Sequence, residues 1–117
     1  MKYHAVADVE PDLLRITTTG EYDFDDMYSF ISYIADEADR TSSERVLIDC
    51  SGIEGDMTEV ERFQGGQMIA EIFGSRLKAA LVMPNITRLG ELAAVNRGAR
   101  FMVTTSKDEA LAWLMMY

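Results

Sequence analysis

Apolar and polar positions alternate from the start of the chain. YHAVADV, over 3–9, has the period of a strand and breaks at Glu10, Pro11 and Asp12; LLRITTT, over 13–19, resumes with β-branched residues before Gly20. Two such runs around a tight turn predict an antiparallel hairpin. From Asp23 the period becomes helical. Phe24, Met27, Ile31, Ile34, Ala35 and Ala38 recur on one face, with Asp25, Asp26, Asp36 and Asp39 elsewhere on the cylinder, which predicts a helix over 24–40. Acids in its first turn suit the positive end of the helix dipole.

RVLID, over 45–49, is a short and nearly continuous apolar run, the pattern of a strand covered on both faces. A loop from Ser51 to Asp56 leads to a helix predicted over 57–73, with Val60, Phe63, Ala70 and Phe73 as its inner stripe and Gly74 as its stop. LKAALVM, over 77–83, is the next strand. Pro84 and Asn85 turn the chain into a third helix, in which Leu89, Leu92, Ala93 and Asn96 share the inner face and Gly98 follows the last turn. Asn96 on that face is expected to satisfy buried backbone groups. RFMVT, over 100–104, is the last strand, and Ser106-Lys107-Asp108-Glu109 reads as a capping box before the apolar stripe of ALAWL at 110–114. The order is ββαβαβαβα, without repeats or linkers. It predicts one α/β domain over 1–117: a mixed, mostly parallel five-stranded sheet packed with four helices.

Composition adds limits. A chain of 117 residues can bury a single core without staples, and 48% hydrophobic with 26% charged residues is the balance of a folded domain. The first residues lack the basic start and apolar stretch of a signal peptide, and no apolar run is long enough to span a bilayer, so the expected location is the cytoplasm. Cys50 is the one cysteine and His4 the one histidine, which leaves no internal disulfide and no Cys/His zinc set. A net charge of −9 argues against nucleic acid and anionic membranes, both of which demand a basic surface. The charge is uneven: residues 1–61 carry sixteen acids and four bases, residues 62–117 four acids and seven bases. Either the fold sets an acidic surface against an arginine-rich one, or the halves interleave and neutralise each other.

The densest group of reactive residues is RVLIDCSGIEGDMTE at 45–59. Asp49, Cys50 and Ser51 end an apolar strand with no histidine nearby in sequence to activate a nucleophile, so no catalytic residue is assigned and an enzyme is not expected. Asp49, Glu54, Asp56 and Glu59 offer oxygens to a hard cation, but their spacing fits no calcium loop, and they are read as solvated acids with no metal or other cofactor. Thr58 has two readings: a phosphoacceptor, or a helix N-cap completed by Glu61 three residues on. Glu54, Asp56, Glu59 and Glu61 crowd that helix start with negative charge, which repels a free phosphate. Gly65 and Gly66 fall in mid-helix at a cost of about 1 kcal/mol each relative to alanine. They imply a close backbone approach, either within the domain or, with Met57, Met68 and Ile72, at a second apolar face that meets a partner.

In its element order the chain resembles the STAS family, the anti-sigma-factor antagonist fold, and within it the SpoIIAA-like, Sec14-related branch. The resemblance rests on Gly20 with Asp23, Asp25 and Tyr28, on VLIDCSGIEGD at 46–56, and on DEALAWL at 108–114, and it extends over nearly the whole chain. It implies a regulatory or binding domain. In STAS antagonists a serine at the start of the helix after the third strand is phosphorylated, in a pattern of an aspartate, two serines and a glycine. Here Asp56-Met57-Thr58-Glu59 stands in that place, so the usual serine phosphoswitch is not expected and Thr58 is the candidate phosphoacceptor. The expected activity is contact with a protein partner or with a second copy in a homodimer. The surface assigned to it comprises Asp49, Ser51, Asp56, Met57, Glu59, Arg62, Gly65, Gly66, Met68, Ile72, Arg88 and Arg97. The alternative is a module that binds a small apolar ligand or lipid in the Sec14 manner.

Overall fold

The hairpin forms at the start of the chain. In the computed structural model, which describes residues 2–86 and 89–116, β1 (Tyr3–Val9) pairs antiparallel with β2 (Leu14–Glu21), from Tyr3 against Gly20 to Val9 against Leu14. β3 (Arg45–Glu54), β4 (Lys78–Val82) and β5 (Arg100–Thr104) join in parallel, so the strands lie side by side in chain order. A 3-10 turn at Phe24–Asp26 runs into α1 (Met27–Arg40), which links β2 to β3. α2 (Glu59–Phe73) links β3 to β4, α3 (Leu89–Val95) links β4 to β5, and α4 (Lys107–Leu114) follows β5.

This order dictates the layers. Parallel strands that advance one place at a time through right-handed crossovers put every crossover helix on the same face. α1, α2 and α3 accordingly share one core with Leu14, Ile16, Val46 and Ile48 of the sheet; Ile34, Ile69, Phe73 and Ala94 are among their contributions. α4 has no strand to return to. It covers the opposite face, where Ala110 and Leu114 pack on Leu13, Leu47, Ala80 and Val82. Each fully buried large aliphatic side chain contributes about 1.5–3 kcal/mol. α4 lies over β3, β4 and β5, and on β1 the same face leaves His4 and Val6 exposed.

Lys78, buried at the start of β4, pins α4 from below. Its Nζ donates to the carbonyls of Trp113 at 2.6 Å and Met116 at 2.5 Å and lies 4.6 Å from the centre of the Trp113 ring. Trp113 lies in the last turn of α4, where carbonyls lack intrahelical partners, and Met116 follows just beyond the helix end. Burial lowers the Lys78 pKa, and repulsion from Arg100 and Arg45 acts in the same direction.

Three expectations change. β3 extends to Glu54, past the predicted 45–49, because β2 continues to pair with it through Thr19–Gly52, Gly20–Ile53 and Glu21–Glu54 after a register shift, where β4 has already ended. On α2 the predicted inner stripe is displaced: Phe73 is buried, but Val60 is 65% exposed and Phe63 37%. Gly65, Gly66 and Ile69 take the inner face instead, beside Phe73. On α3, Leu89 and Asn96 are exposed and Leu92 is 53% exposed, while Ala93 and Ala94 are buried, so Asn96 serves no buried group.

The glycines explain both displacements. A Cβ built at Gly66 would lie 2.2 Å from the Gly90 carbonyl oxygen and 2.9 Å from Ala93 Cβ, and one at Gly90 would lie 2.9 Å from the Arg62 carbonyl oxygen. α2 and α3 therefore touch backbone to backbone. On the neighbouring side a Cβ at Gly65 would come 2.8 Å from Met27 Sδ of α1. The close approach expected of the glycine pair is within the domain. As for charge, the halves of the chain are joined by ion pairs of Arg76 with Asp39 and Lys107 with Asp49, as interleaving requires.

Alanine in place of a mid-helix glycine ordinarily gains about 1 kcal/mol of helix propensity. At Gly66 the clash is with backbone, which no rotamer relieves. Gly66→Ala is expected to destabilise the protein by about 2 kcal/mol or more in urea unfolding, a cost in the range of overpacked cores.

Candidate functional site

The ends of β3 and β4 and the start of α2 meet at one edge of the sheet, and their short-range chemistry is largely settled by capping. Thr58 Oγ1 accepts from the Glu61 amide at 3.1 Å, and Glu61 Oε1 accepts from the Thr58 amide at 2.9 Å, a complete capping box. A side chain in that role contributes about 1 kcal/mol. Asn85, in the loop after β4, bridges the elements: its Oδ1 accepts from Arg62 Nη2 at 3.0 Å and its Nδ2 donates to Asp56 Oδ1 at 3.5 Å. Asp56, Met57, Thr58, Glu59 and Arg62 thus form one cluster. Met57 turns inward against the core, while Asp56, Thr58 and Glu59 are exposed.

Asp49 is elsewhere. It lies on the α4 face of β3 and is 5% exposed, with Oδ1 accepting from the Ser51 amide at 3.0 Å and the Ser51 hydroxyl at 2.6 Å, and Oδ2 3.0 Å from Lys107 Nζ. Burial alone would raise its pKa. The two Ser51 hydrogen bonds and Lys107 outweigh burial and hold it below the usual carboxylate value. Asp49 and Ser51 therefore form a structural Asx turn stapled to α4.

The remaining predicted residues are dispersed. Gly65 and Gly66 are buried between helices, and Met68 and Ile72 are part-buried and packed on the core. Arg97 is exposed at the end of α3, donates to the Ala93 carbonyl at 3.1 Å and sits 5.3 Å from the centre of the Phe63 ring. Arg88 lies outside the described residues. Burial pushes the Cys50 thiol up to about 12, which keeps it protonated at neutral pH. Among the described residues no three His, Cys, Asp or Glu side chains gather closely enough to hold a metal ion, and no helix is long and apolar enough to cross a membrane.

One feature escaped the sequence, and a second was suggested only by the resemblance, as the apolar pocket of the alternative reading. Val60 and Phe63 of α2 and Leu89, Leu92 and Val95 of α3 are large apolar side chains on the outside of two touching helices. The available signal was the run of small residues Gly65, Gly66, Gly90, Ala93 and Ala94, which marks the real contact faces and so turns the larger ones outward. The second is an apolar cavity of about 130 Å³ between α1, α2 and the sheet, lined by Phe30, Ile34, Met57, Ile69 and Phe101 among others. A cavity left where side chains fail to meet has no periodicity to betray it.

No protein-family model matches the chain, and no curated protein matches it either. Among solved structures it is similar to the crystal structure of an anti-sigma factor antagonist from Mycobacterium paratuberculosis, with a TM-score of 0.63 and 16% sequence identity over 97% of this chain and 95% of that one. The fold is thus the α/β fold of the STAS type that the motifs suggested.

Asp49 supplies a pH signature. Its folded pKa is lowered from the unfolded value of about 3.9, so its stabilisation is fully present above that pH and is lost as pH falls through the folded value. Urea unfolding of the wild type and Asp49→Asn across pH should show the largest difference at neutral pH, shrinking below about pH 4. A constant difference would show that the carboxylate is not the source.

Proposed function

We propose that the protein is a non-enzymatic regulatory domain that acts by contact with another protein, through the outward face of α2 and α3. The observation that carries this reading is the exposure of Val60, Phe63, Leu89, Leu92 and Val95 on two helices locked together by glycine contacts. Apolar groups of this size on adjoining helices lose free energy to water until another surface covers them. Rigid presentation lowers the ordering cost of binding, because the helices need not move to meet a partner. The fold supports the same reading: its solved neighbour is described as an anti-sigma factor antagonist, a role exercised on another protein. Arg97 over Phe63 adds a cation at the edge of the patch, suited to a partner whose apolar contact is flanked by carboxylate.

The same reading does without a phosphoswitch at Thr58. Its hydroxyl is committed to the capping box, and a dianion there would stand among Glu54, Asp56, Glu59 and Glu61. Intact-mass and peptide analysis of the protein from its own host, with Thr58→Ala as the control, should find Thr58 unmodified. A phosphate that is absent from the variant would restore the switch.

For the contact surface, the double variant Phe63→Asp/Leu92→Asp should keep the circular dichroism of the wild type yet lose a partner captured by cross-linking in the host. Val6→Asp, on the open face of β1, should keep that partner. Sedimentation of the purified protein separates a second copy from a different chain. A folded double variant with unchanged partners would remove the α2–α3 face from consideration.

A further inference from the structure

Thr18 Oγ1 and the Tyr22 hydroxyl are buried and have no hydrogen-bond partner among the described residues. Both line the apolar cavity between α1, α2 and the sheet. Thr18 is 2% exposed and sits in the floor of the cavity on β2. The thiol of Cys50 beside it is a weak partner, since sulfur donates and accepts poorly. Glu61 is close enough to raise the Tyr22 pKa, but no hydrogen bond of ordinary geometry joins the two side chains. Burial first, and Glu61 next, raise the Tyr22 pKa, so the phenol keeps its proton and can donate.

An unpartnered buried hydroxyl costs about 1–3 kcal/mol. Two in one apolar cavity mark a place where an occupant with a polar atom would relieve that cost. Size limits the occupant: an apolar cavity of about 150 Å³ stays dry and takes up benzene. Charge limits it further. Glu21, Asp23 and Asp26 line the cavity, against Arg62, whose guanidinium is engaged with Asn85. The Asp25 amide and Lys2 hold the Asp23 pKa down, so Asp23 is ionised at neutral pH. With Asp23 paired to Lys2 at 3.2 Å, Glu21 and Asp26 against Arg62 leave the cavity mouth net negative, which opposes an anion and admits a neutral or cationic group.

We propose that this cavity is a binding site for a small alcohol or amine with an apolar body about the size of a single ring, its polar atom meeting the Thr18 and Tyr22 hydroxyls. The site is independent of the protein-contact reading, because α2 turns Gly65 and Ile69 toward the cavity and Val60 and Phe63 to solvent.

Methionine methyl groups report directly on occupancy, since Met27, Met57 and Met83 line the cavity while Met115 and Met116 are exposed at the end of the chain. Three probes share a benzyl or phenyl body: benzyl alcohol, benzylamine and benzoate. In methyl NMR titrations at neutral pH, millimolar benzyl alcohol and benzylamine should shift Met27, Met57 and Met83 and leave Met115 and Met116 in place; benzoate should shift none. Thr18→Val should weaken benzyl alcohol about tenfold, the effect of one hydrogen bond, and leave toluene binding unchanged. Tyr22→Phe removes one oxygen without changing shape and tests the same point should Thr18→Val fail to fold. The proposal is overturned by methyls silent to all three probes, by benzoate binding as well as the alcohol, or by folded variants with unaltered affinity for it.

Discussion

The backbone contact of α2 with α3 at Gly66 is the constraint on which the helical layer depends. Crossovers between neighbouring strands call for helices near the strand spacing of about 4.8 Å, whereas helices ordinarily pack 8–10 Å apart. Three helices on one face cannot all satisfy both. Gly66, Gly90 and Ala93 let α2 and α3 come together, so that the crowding is relieved on one side of α2. On the other side Met27 and the larger residues of α1 fill the space incompletely, and the apolar cavity remains there.

The same contact determines what the protein shows to solvent. A helix has one inner face, and once glycine occupies part of it, residues on the flanking arcs turn away from the core. Val60 and Phe63 become exposed for that reason, as Leu92 does on α3. The apolar patch and the cavity are two consequences of one packing choice, the patch on the outer face of α2 and the cavity beneath its inner face. The polar edge beside them is rigid by different means: the capping box at Thr58, the Asn85 bridge and the buried Asp49 turn leave few donors or acceptors free to do chemistry. A folded, well-satisfied edge thus lies next to an exposed apolar surface, as the proposed contact requires.

Local chemistry was legible in the residues where it closes over short distances. The hairpin at Glu10 to Asp12, the Thr58 cap and the Ser106 cap, whose Oγ accepts from the Glu109 amide at 3.2 Å, follow from spacing alone. The helix start at 24 was legible only in part, since Asp23 caps a 3-10 turn before α1 begins. The inner faces of α2 and α3 were misread because periodicity weighs apolar size and treats glycine as neutral. Size is the wrong measure where two backbones touch.

By itself the sequence determined the order of elements, the hairpin, the helix caps and a free thiol with no disulfide partner, because each depends on neighbours a few residues apart or on composition. The order of strands and the right-handed crossover then placed three helices on one face. Only the tertiary structure decided which side of α2 is inside, that Asp49 pairs with Lys107 of α4, and that Thr18 and Tyr22 face an unfilled space. Those outcomes depend on distances between segments far apart in the chain, and such distances are set by packing volume, which no local pattern encodes.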